Sequence, residues 1–214
     1  MGKQTAIVYV DGLNLYRRAL QGSPYKWLDI ARMSELLLQD FEIAKVRYFT
    51  ANIKHQPYDP QAPQRQQAYI RALRTDPRVE VHLGTFRIDK RDMPIHPLVI
   101  GPDGAPVTVR VRKTEEKGSD VNVATHLLVD GFRGAADAFV VVSNDSDLAE
   151  PMRVLINEFD RVVGLIAPTS RPSNVLLATG PQIIRELREG VLQASQLPTS
   201  LGDGHGTVRK PKGW

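Results

Sequence analysis

The stretch AIVYVDGLN, residues 6–14, decides the fold. Its first five residues form an apolar run rich in β-branched side chains, which is typical of a strand buried on both faces of a sheet. An Asp-Gly pair ends the run, and such turn chemistry marks the point where the chain leaves the sheet. The stretch therefore predicts a central strand of an α/β fold with Asp11 at its carboxyl end.

The rest of the chain repeats this theme, since further strand candidates alternate with helical patterns. The strand candidates are 45–50, 79–83, 139–143 and 161–166. The helical patterns cover 29–38, 64–74, 120–132, a segment after Asp147, and 175–187, which Gly180-Pro181 is expected to break into two pieces. This alternation predicts βαβ units and a mostly parallel central sheet.

Two segments interrupt the alternation. Residues 52–63 contain three prolines among polar neighbours and are expected to form a surface loop. Residues 94–113 are expected to form an added β-hairpin around the turn sequence GPDG at 101–104. In its second strand, valines alternate with Arg110 and Arg112, which predicts one apolar face and one cationic face.

The end of the sequence differs in composition from the rest. After about residue 195 it becomes rich in Gly, Ser and Pro, and its last positions are basic and end in Trp214. We therefore expect one domain over residues 1–190, followed by an extended basic tail over 191–214. Three roles are open for this tail: docking on the protein's own surface, binding RNA by stacking and charge, or contact with a protein partner.

Composition narrows the class of protein. The chain has 214 residues, a formal net charge of +4 carried mostly by arginines, and no cysteine. The lack of cysteine excludes disulfides, thiolate metal sites and cysteine nucleophiles. No apolar run approaches the ~20 residues of a membrane-spanning helix, and the first residues show no signal-peptide pattern. We expect a cytoplasmic protein without membrane contact whose arginines suit a polyanionic partner.

Four aspartates occupy positions where a parallel sheet places its functional loops. Asp11 directly follows the first strand, and Asp145 and Asp147 follow the fourth. Asp120 begins the helix that leads into the fourth strand. Functional loops lie at the carboxyl ends of parallel strands. If the first and fourth strands are neighbours, these carboxylates crowd one edge of the sheet, where like charges repel unless a cation holds them.

The chemistry of this edge follows from its ligand atoms. Oxygen ligands without thiolates favour Mg²⁺ or Mn²⁺, and such a site suits hydrolysis of a phosphodiester bond by metal-activated water. Three polar residues lie close enough in sequence to assist: Asn14 holding water or phosphate, Lys117 neutralising phosphate charge, and Ser143 supplying a hydroxyl. The sequence therefore predicts a metal-dependent phosphodiester hydrolase.

Three of the four aspartates also have a simpler explanation. Asp is a preferred helix N-cap, and Asp11, Asp120 and Asp147 are each positioned to cap the helix that follows. The cluster SNDSD, residues 143–147, is harder to explain in that way, because two acids beside a buried strand contribute little to packing. The histidines show no metal-ligand spacing and are expected to be structural or surface residues.

Three segments together resemble a known family. They are VYVDGLNL at 8–15, EKGSDV at 116–121 and VVSNDSDL at 141–148. In order and spacing they are similar to the three motifs of NYN domains, the LabA-like branch of the PIN-like nuclease superfamily. The resemblance covers roughly residues 5–188.

The resemblance implies a PIN-like three-layer sandwich around a mostly parallel sheet. It implies a metal site formed by Asp11, Asp120, Asp145 and Asp147, with Asn14 and Ser143 in supporting polar roles. Members of this family are expected to cleave RNA with Mg²⁺ or Mn²⁺.

The leading hypothesis is a metal-dependent endoribonuclease. Four cations would guide the RNA backbone toward the metal, namely Arg110, Arg112, Lys113 and Lys117. The alternative is an RNA-binding regulatory protein with a structural or vestigial metal site and little turnover. A phosphatase of the HAD type is disfavoured, because it requires a second Asp at position 13, where this chain has Leu13. A homodimer is expected as the commonest soluble assembly.

Overall fold

The computed structural model describes residues 2–55, 59–204 and 206–214. The strands are β1 (Gln4–Asp11), β2 (Phe41–Ala51), β3 (Val79–Pro94), β4 (Thr108–Lys117), β5 (Ala138–Val142), β6 (Val162–Ala167), β7 (Ile183–Glu186), β8 (Ser200–Asp203) and β9 (Gly206–Arg209). The helices are α1 (Gly12–Leu15), which continues as a π-helical turn (Tyr16–Leu20), α2 (Ile30–Leu37), α3 (Ala62–Leu73), α4 (Ser119–Arg133), a 3₁₀ turn (Ser146–Leu148), α5 (Ala149–Asn157), α6 (Asn174–Leu177) and α7 (Glu189–Ala194).

Six parallel strands form the central sheet, in the order β3-β2-β1-β5-β6-β7, and β4 extends its β3 edge as an antiparallel strand. The strand β1 lies between β2 and β5, with Asp11 opposite Phe49 and Val10 opposite Val142. The order of strands along the chain reverses between β1 and β5. Ligand sites of open α/β sheets lie at such a reversal, outside the carboxyl ends of the strands.

The core lies on both faces of this sheet, because alternate side chains of each strand point to opposite sides. Val8 and Val10 of β1 pack with residues from α2, α3 and α7. Ile7 and Tyr9 pack on the other side with residues from α4, α5 and α6. The predicted α/β three-layer sandwich with a mostly parallel sheet is confirmed.

A network of charged side chains is buried beside β1. The Tyr9 hydroxyl donates to Asp130 Oδ2 at 2.8 Å, and Arg47 Nε donates to the same oxygen at 2.8 Å. The side chains of Arg47 and Asp130 are only 12% and 7% exposed. Burial, together with the negative charge of Asp130, raises the pKa of Tyr9. Because each charge is paired, the network fixes α4 against β1 and β2 without an uncompensated ion.

The added hairpin is longer than the sequence indicates. The strand predicted to end at residue 83 continues to Pro94 and pairs antiparallel with all of β4, from Thr85 opposite Lys117 to Pro94 opposite Thr108. The expected boundaries of 94–113 are therefore wrong, although the hairpin itself is present. The later part of β3 is mostly charged, and a strand outside the packed sheet needs no apolar pattern to reveal it.

The prediction of a helix in the second half of 175–187 is wrong. Residues 174–177 form α6, but Ile183–Glu186 form β7, which pairs in parallel with β6. A run of four residues carries too little periodicity to separate a helix from a strand. The free edge of β6 decides the outcome, because it supplies backbone partners for an extended segment.

The segment 191–214 is not extended but folds back onto the domain, so of the roles left open for it the structure shows docking on the protein's own surface. The strands β8 and β9 form a small antiparallel hairpin, and Val208 is buried in the core on the α3 side of the sheet. Trp214 packs against Trp27 and Tyr69, with ring centroids 6.2 and 5.5 Å away. Apolar residues spaced among Gly and Ser give little local signal, yet the body of the domain offers them a surface to bury.

The predicted surface loop over 52–63 is present in part. Residues 52–55 are exposed and without regular structure, whereas α3 already begins at Ala62. Residues 56–58 lie outside the described residues.

None of the helices in the described part of the chain is long and apolar enough to cross a membrane.

Candidate metal centre

Asp11 stands at the carboxyl end of β1 and is also the N-cap of α1. Its Oδ1 accepts a hydrogen bond from the backbone N–H of Asn14 at 3.0 Å. Its Oδ2 accepts one from the hydroxyl of Ser143 at 2.9 Å. The capping explanation is therefore correct for Asp11, and it does not exclude a ligand role, because each carboxylate oxygen has a second lone pair.

The loop after β5 brings the second acid to the same place. Ser143 is fully buried at the end of β5, and its Oγ accepts a hydrogen bond from the Asp145 N–H at 3.1 Å. Asp145 Oδ1 in turn accepts from the Asp147 N–H, also at 3.1 Å, and so caps the 3₁₀ turn. Ser143 thus links the backbone of the β5 loop to the carboxylate of β1.

A second link joins the two loops through asparagine side chains. Asn14 Oδ1 accepts from the backbone N–H of Asn144 at 3.0 Å. Asn144 Oδ1 accepts from the Ser173 N–H at 2.7 Å, and its amide nitrogen donates to the Arg171 carbonyl at 3.3 Å. Sequence reasoning did not find this connection to the loop after β6, and no local pattern signals it.

Asp120 completes the cluster from the first turn of α4. Gly118 precedes that helix with φ of 92°, a left-handed conformation that favours glycine. Oxygens of Asp11, Asp120 and Asp145 lie within 4.8 Å of one another. Asp11 is buried, Asp145 is half-buried and Asp120 is exposed. The structure therefore brings together three of the four predicted metal ligands, drawn from three distant parts of the chain.

The electrostatics of the cluster are those of crowded like charges. Partial burial of its carboxyl raises the pKa of Asp120, and the neighbouring Asp145 and Asp147 carboxylates raise it further. Asp147 is therefore close enough to act on Asp120 by charge, but its oxygens do not join the group of three. A divalent cation would relieve this repulsion, and three carboxylates can hold one.

The predicted cations lie on β4 and at its end. Arg110 and Arg112 are exposed and make no ion pair with any side chain that the structure describes. Lys117 is exposed and ends β4, three residues before Asp120. Alternation along the strand puts Lys113 and Lys117 on the face opposite to Arg110 and Arg112. The four cations are therefore divided between two faces of the hairpin.

An aromatic pocket of about 120 Å³ lies against Gly12 and Leu13, the two residues that follow Asp11 in the chain. We use this name for the cavity lined by Gly12, Tyr16, Tyr48, Tyr69, Phe86 and Trp214, among others. A Cβ at Gly12 would lie 2.6 Å from Tyr48 Cζ and 2.7 Å from the Phe49 carbonyl oxygen, so only glycine fits there. The sequence does not reveal this pocket, because its walls come from segments as far apart in the chain as Gly12 and Trp214.

Comparison with known proteins places these observations in a family. Residues 5–185 match the NYN domain family. The chain is 33% identical, over 97% of its length, to a protein from Pseudomonas putida named 6-hydroxy-3-succinoylpyridine 3-monooxygenase HspA, of which the match covers 74%. The solved structure of VPA0982, a protein of unknown function from Vibrio parahaemolyticus, is similar at a TM-score of 0.56 and 18% identity, covering 87% of this chain and 94% of that one. This likeness shows the fold alone.

Proposed function

The chain belongs to the NYN domain family, and we propose that it is a metal-dependent ribonuclease that cuts RNA internally. The observation that carries the proposal is the cluster of Asp11, Asp120 and Asp145, whose oxygens lie within 4.8 Å of one another where the strand order reverses. The family falls in a nuclease-like superfamily, which favours phosphodiester hydrolysis as the use of such a cluster.

The donor set of the cluster fits a hard divalent cation. Oxygens bound to one Mg²⁺ at about 2.1 Å stand at most roughly 4.2 Å apart, so small rotations bring the three carboxylates onto one ion. Asp11, Asp120 and Asp145 would hold Mg²⁺ or Mn²⁺, and Asp147 would add negative charge beside Asp120. When bound, such an ion supplies activation of water and neutralisation of phosphate charge.

The polar residues around Asp11 keep the cluster in order. Ser143 and the Asn14 backbone occupy one lone pair on each oxygen of Asp11 and so fix the plane of its carboxylate. The side-chain oxygen of Asn14 accepts from Asn144, while its amide nitrogen has no partner among the described residues. That nitrogen is available to donate to a phosphate oxygen of the substrate.

The hairpin of β3 and β4 would bind the RNA backbone and direct it toward the carboxylate cluster. The cations lie on both faces of β4, with Arg110 and Arg112 on one face and Lys113 and Lys117 on the other. Lys117 ends the strand three residues before Asp120. Arginine forks bind phosphate oxygens well, and contacts to phosphate confer little sequence preference. We therefore propose binding along the hairpin that depends on backbone charge, with cleavage at the carboxylate edge.

The experiment is cleavage of a panel of RNA and DNA substrates with Mg²⁺, Mn²⁺ or EDTA, with the cut sites mapped. We expect internal cuts in RNA that require the metal and that disappear in Asp145→Asn. Asp40→Asn is the matched control, because Asp40 is exposed before β2 and carries the same charge change away from the cluster. Equal cleavage by purified Asp145→Asn and the parent protein would overturn the assignment.

The regulatory alternative gives a different result in the same assay. A protein that binds RNA with little turnover would shift RNA in a gel in the presence of EDTA and would leave it intact with Mn²⁺. That pair of results would replace the nuclease proposal with an RNA-binding role.

A second candidate function is supported by the relative from P. putida, whose name describes a monooxygenase acting on a hydroxylated pyridine. The aromatic pocket beside Gly12 has walls suited to such a ring. Because hydroxylation by O₂ consumes two electrons from a reductant, the assay must supply one. Incubation with 6-hydroxy-3-succinoylpyridine, O₂ and NADH or NADPH, followed by mass spectrometry, tests it: an oxygenated product favours this function. Carboxylate oxygens as ligands favour Mg²⁺ or Mn²⁺ over redox metals bound by imidazole, so we rank it second.

A further inference from the structure

The aromatic pocket accounts for a feature that the nuclease proposal leaves unused, namely Trp214 folded back onto the domain. We propose that this pocket binds the planar base of one nucleotide of the substrate, with Lys26 as the cation for that nucleotide's phosphate. The inference takes the identity of its ligand from the proposed ribonuclease function.

The size and walls of the pocket suit a flat ring. Its volume of about 120 Å³ is somewhat below the roughly 150 Å³ of an apolar cavity that holds a benzene molecule in another protein. The pocket therefore encloses about one six-membered ring, and the rest of a larger base projects from its open mouth. The Tyr69 ring lies close to two others, with its centroid 6.1 Å from that of Tyr48, nearly perpendicular, and 5.5 Å from that of Trp214. Tyr16 at the pocket is 37% exposed. Aromatic walls of this kind bind bases by stacking, whatever their sequence.

Two polar groups in the pocket are free to bind a ligand. Lys26 lines the cavity and forms no ion pair or hydrogen bond with any residue in the described ranges. The indole N–H of Trp214 also has no acceptor within the part of the chain that the structure describes. By contrast, Trp27 donates its indole N–H to the Pro198 carbonyl at 2.8 Å. A nucleotide offers an anion for Lys26 and ring acceptors for an indole donor.

The position of the pocket connects it with the carboxylate cluster. Gly12 and Leu13 line the cavity and directly follow Asp11 in the chain. A base held in the pocket would therefore lie beside the edge at which the carboxylates meet. Stacking of one base would hold the neighbouring phosphodiester bond near the cluster, which is how a site gains rate through positioning.

The test is calorimetric titration of the full chain in EDTA, so that the readout is independent of cleavage. The ligands are AMP, UMP, adenosine and ribose 5-phosphate at concentrations up to about 10 mM, well above a millimolar Kd. We expect saturable binding of AMP and UMP, weaker binding of adenosine and none of ribose 5-phosphate. Absence of saturable binding by both AMP and UMP would overturn the inference.

Substitutions in the wall of the aromatic pocket test whether AMP binds there. Trp214→Ala is expected to weaken AMP binding about tenfold through lost stacking, and Lys26→Met to weaken AMP but not adenosine. Because Trp214→Ala removes packing, Ala62→Trp provides a second variant: Ala62 lines the cavity in the first turn of α3, and a larger side chain there fills it. Phe132→Ala, which alters an exposed ring on α4, is the control and should bind as the parent does. Unchanged AMP binding in both Trp214→Ala and Ala62→Trp would exclude the pocket.

Two further arms separate this inference from the proposed function. Asp145→Asn should lose cleavage but keep AMP binding, so loss of one and survival of the other are separately visible. If the parent protein binds AMP but never cuts RNA, the inference about the pocket holds and the ribonuclease proposal is wrong. The second measurement is titration with 6-hydroxypyridine-3-carboxylate. Binding of this ring without binding of AMP would contradict the assignment of the pocket to a nucleotide.

Discussion

The hydroxyl of Ser143 donates a 2.9 Å hydrogen bond to Asp11 Oδ2, joining two buried residues that are 132 positions apart in the chain. This bond spans the neighbouring strands β1 and β5 at the point where the strand order reverses. It means that the orientation of the central carboxylate depends on a residue that need not touch the metal itself.

Removal of that hydroxyl should weaken the site without unfolding the protein. Ser143→Ala removes the donor to Asp11 Oδ2 and the acceptor of the Asp145 N–H, so both carboxylates are held less firmly. Loss of a residue that orients a metal ligand typically costs ~10- to 100-fold in metal affinity or activity. Mn²⁺ binding and RNA cleavage measure the effect. Ser146→Ala, an exposed serine in the same loop, is the control, and an equal loss in both variants would contradict a specific role for Ser143.

Asp120 and Asp147 should differ as ligands. The oxygens of Asp120 lie in the group of three, whereas those of Asp147 do not. We therefore expect Asp120→Asn to weaken Mn²⁺ binding by at least about tenfold more than Asp147→Asn does. Titration of each variant with Mn²⁺, followed by electron paramagnetic resonance, measures this directly. Equal weakening by both substitutions would mean that Asp147 moves into the cluster when the ion binds.

The buried network around Asp130 should matter for stability. Asp130→Ala removes the buried partner of Arg47, whose side chain is 12% exposed, and leaves it paired with the more exposed Glu80. Breaking a buried pair typically costs about 3–5 kcal/mol, and the remaining Glu80 contact places the expected loss at the lower end of that range. The free energy of unfolding in urea measures the loss. The matched comparison is Glu150→Ala, which breaks the exposed pair with Arg153 and should cost less than about 1 kcal/mol. Similar losses in the two variants would show that burial does not set the energy of the pair.

The neighbouring histidines His82 and His126, whose ring centroids are 4.3 Å apart, should make stability depend on pH. Burial lowers the pKa of both, and each is lowered further by the positive charge of Arg47. In the unfolded chain both take up protons near pH 6.5. Below that pH the unfolded state binds more protons than the folded state, so stability falls as pH falls from about 6.5 toward the folded pKa values.

Urea unfolding between about pH 5 and 7.5 measures this slope. The doubly substituted protein His82→Gln/His126→Gln should lose stability less steeply over the same range, because no imidazole remains at this position to take up a proton on unfolding. An identical slope in the parent and the substituted protein would assign the pH dependence to other groups.

The arginines of β4 should act on RNA affinity rather than on catalysis. Arg110→Ala and Arg112→Ala are each expected to weaken binding and to reduce the slope of log affinity against log salt by roughly one. Fluorescence anisotropy with labelled RNA at several salt concentrations gives both quantities. Arg153→Ala, on α5, serves as the control. A salt slope unchanged in all three variants would place the RNA elsewhere on the protein.

The sequence by itself determined the central strands and the acids that follow them. β1 and β5 are buried on both faces, and such strands must be short, apolar and β-branched, so their composition reveals them. Asp11 and Asp145 were predicted because polar residues at the ends of those strands have no packing role. The charged half of β3 and the short β7 carry no such signature, which is why their bounds were missed.

Only the tertiary structure decided which of these residues meet. The pairing of β1 with β5, the entry of Asp120 rather than Asp147 into the carboxylate cluster, and the return of Trp214 to the aromatic pocket all join segments far apart in the chain. Local periodicity reports whether a segment is buried, because burial imposes a pattern on neighbouring residues. It does not report what the segment is buried against, because that depends on the free strand edges and apolar surfaces that the rest of the chain leaves available.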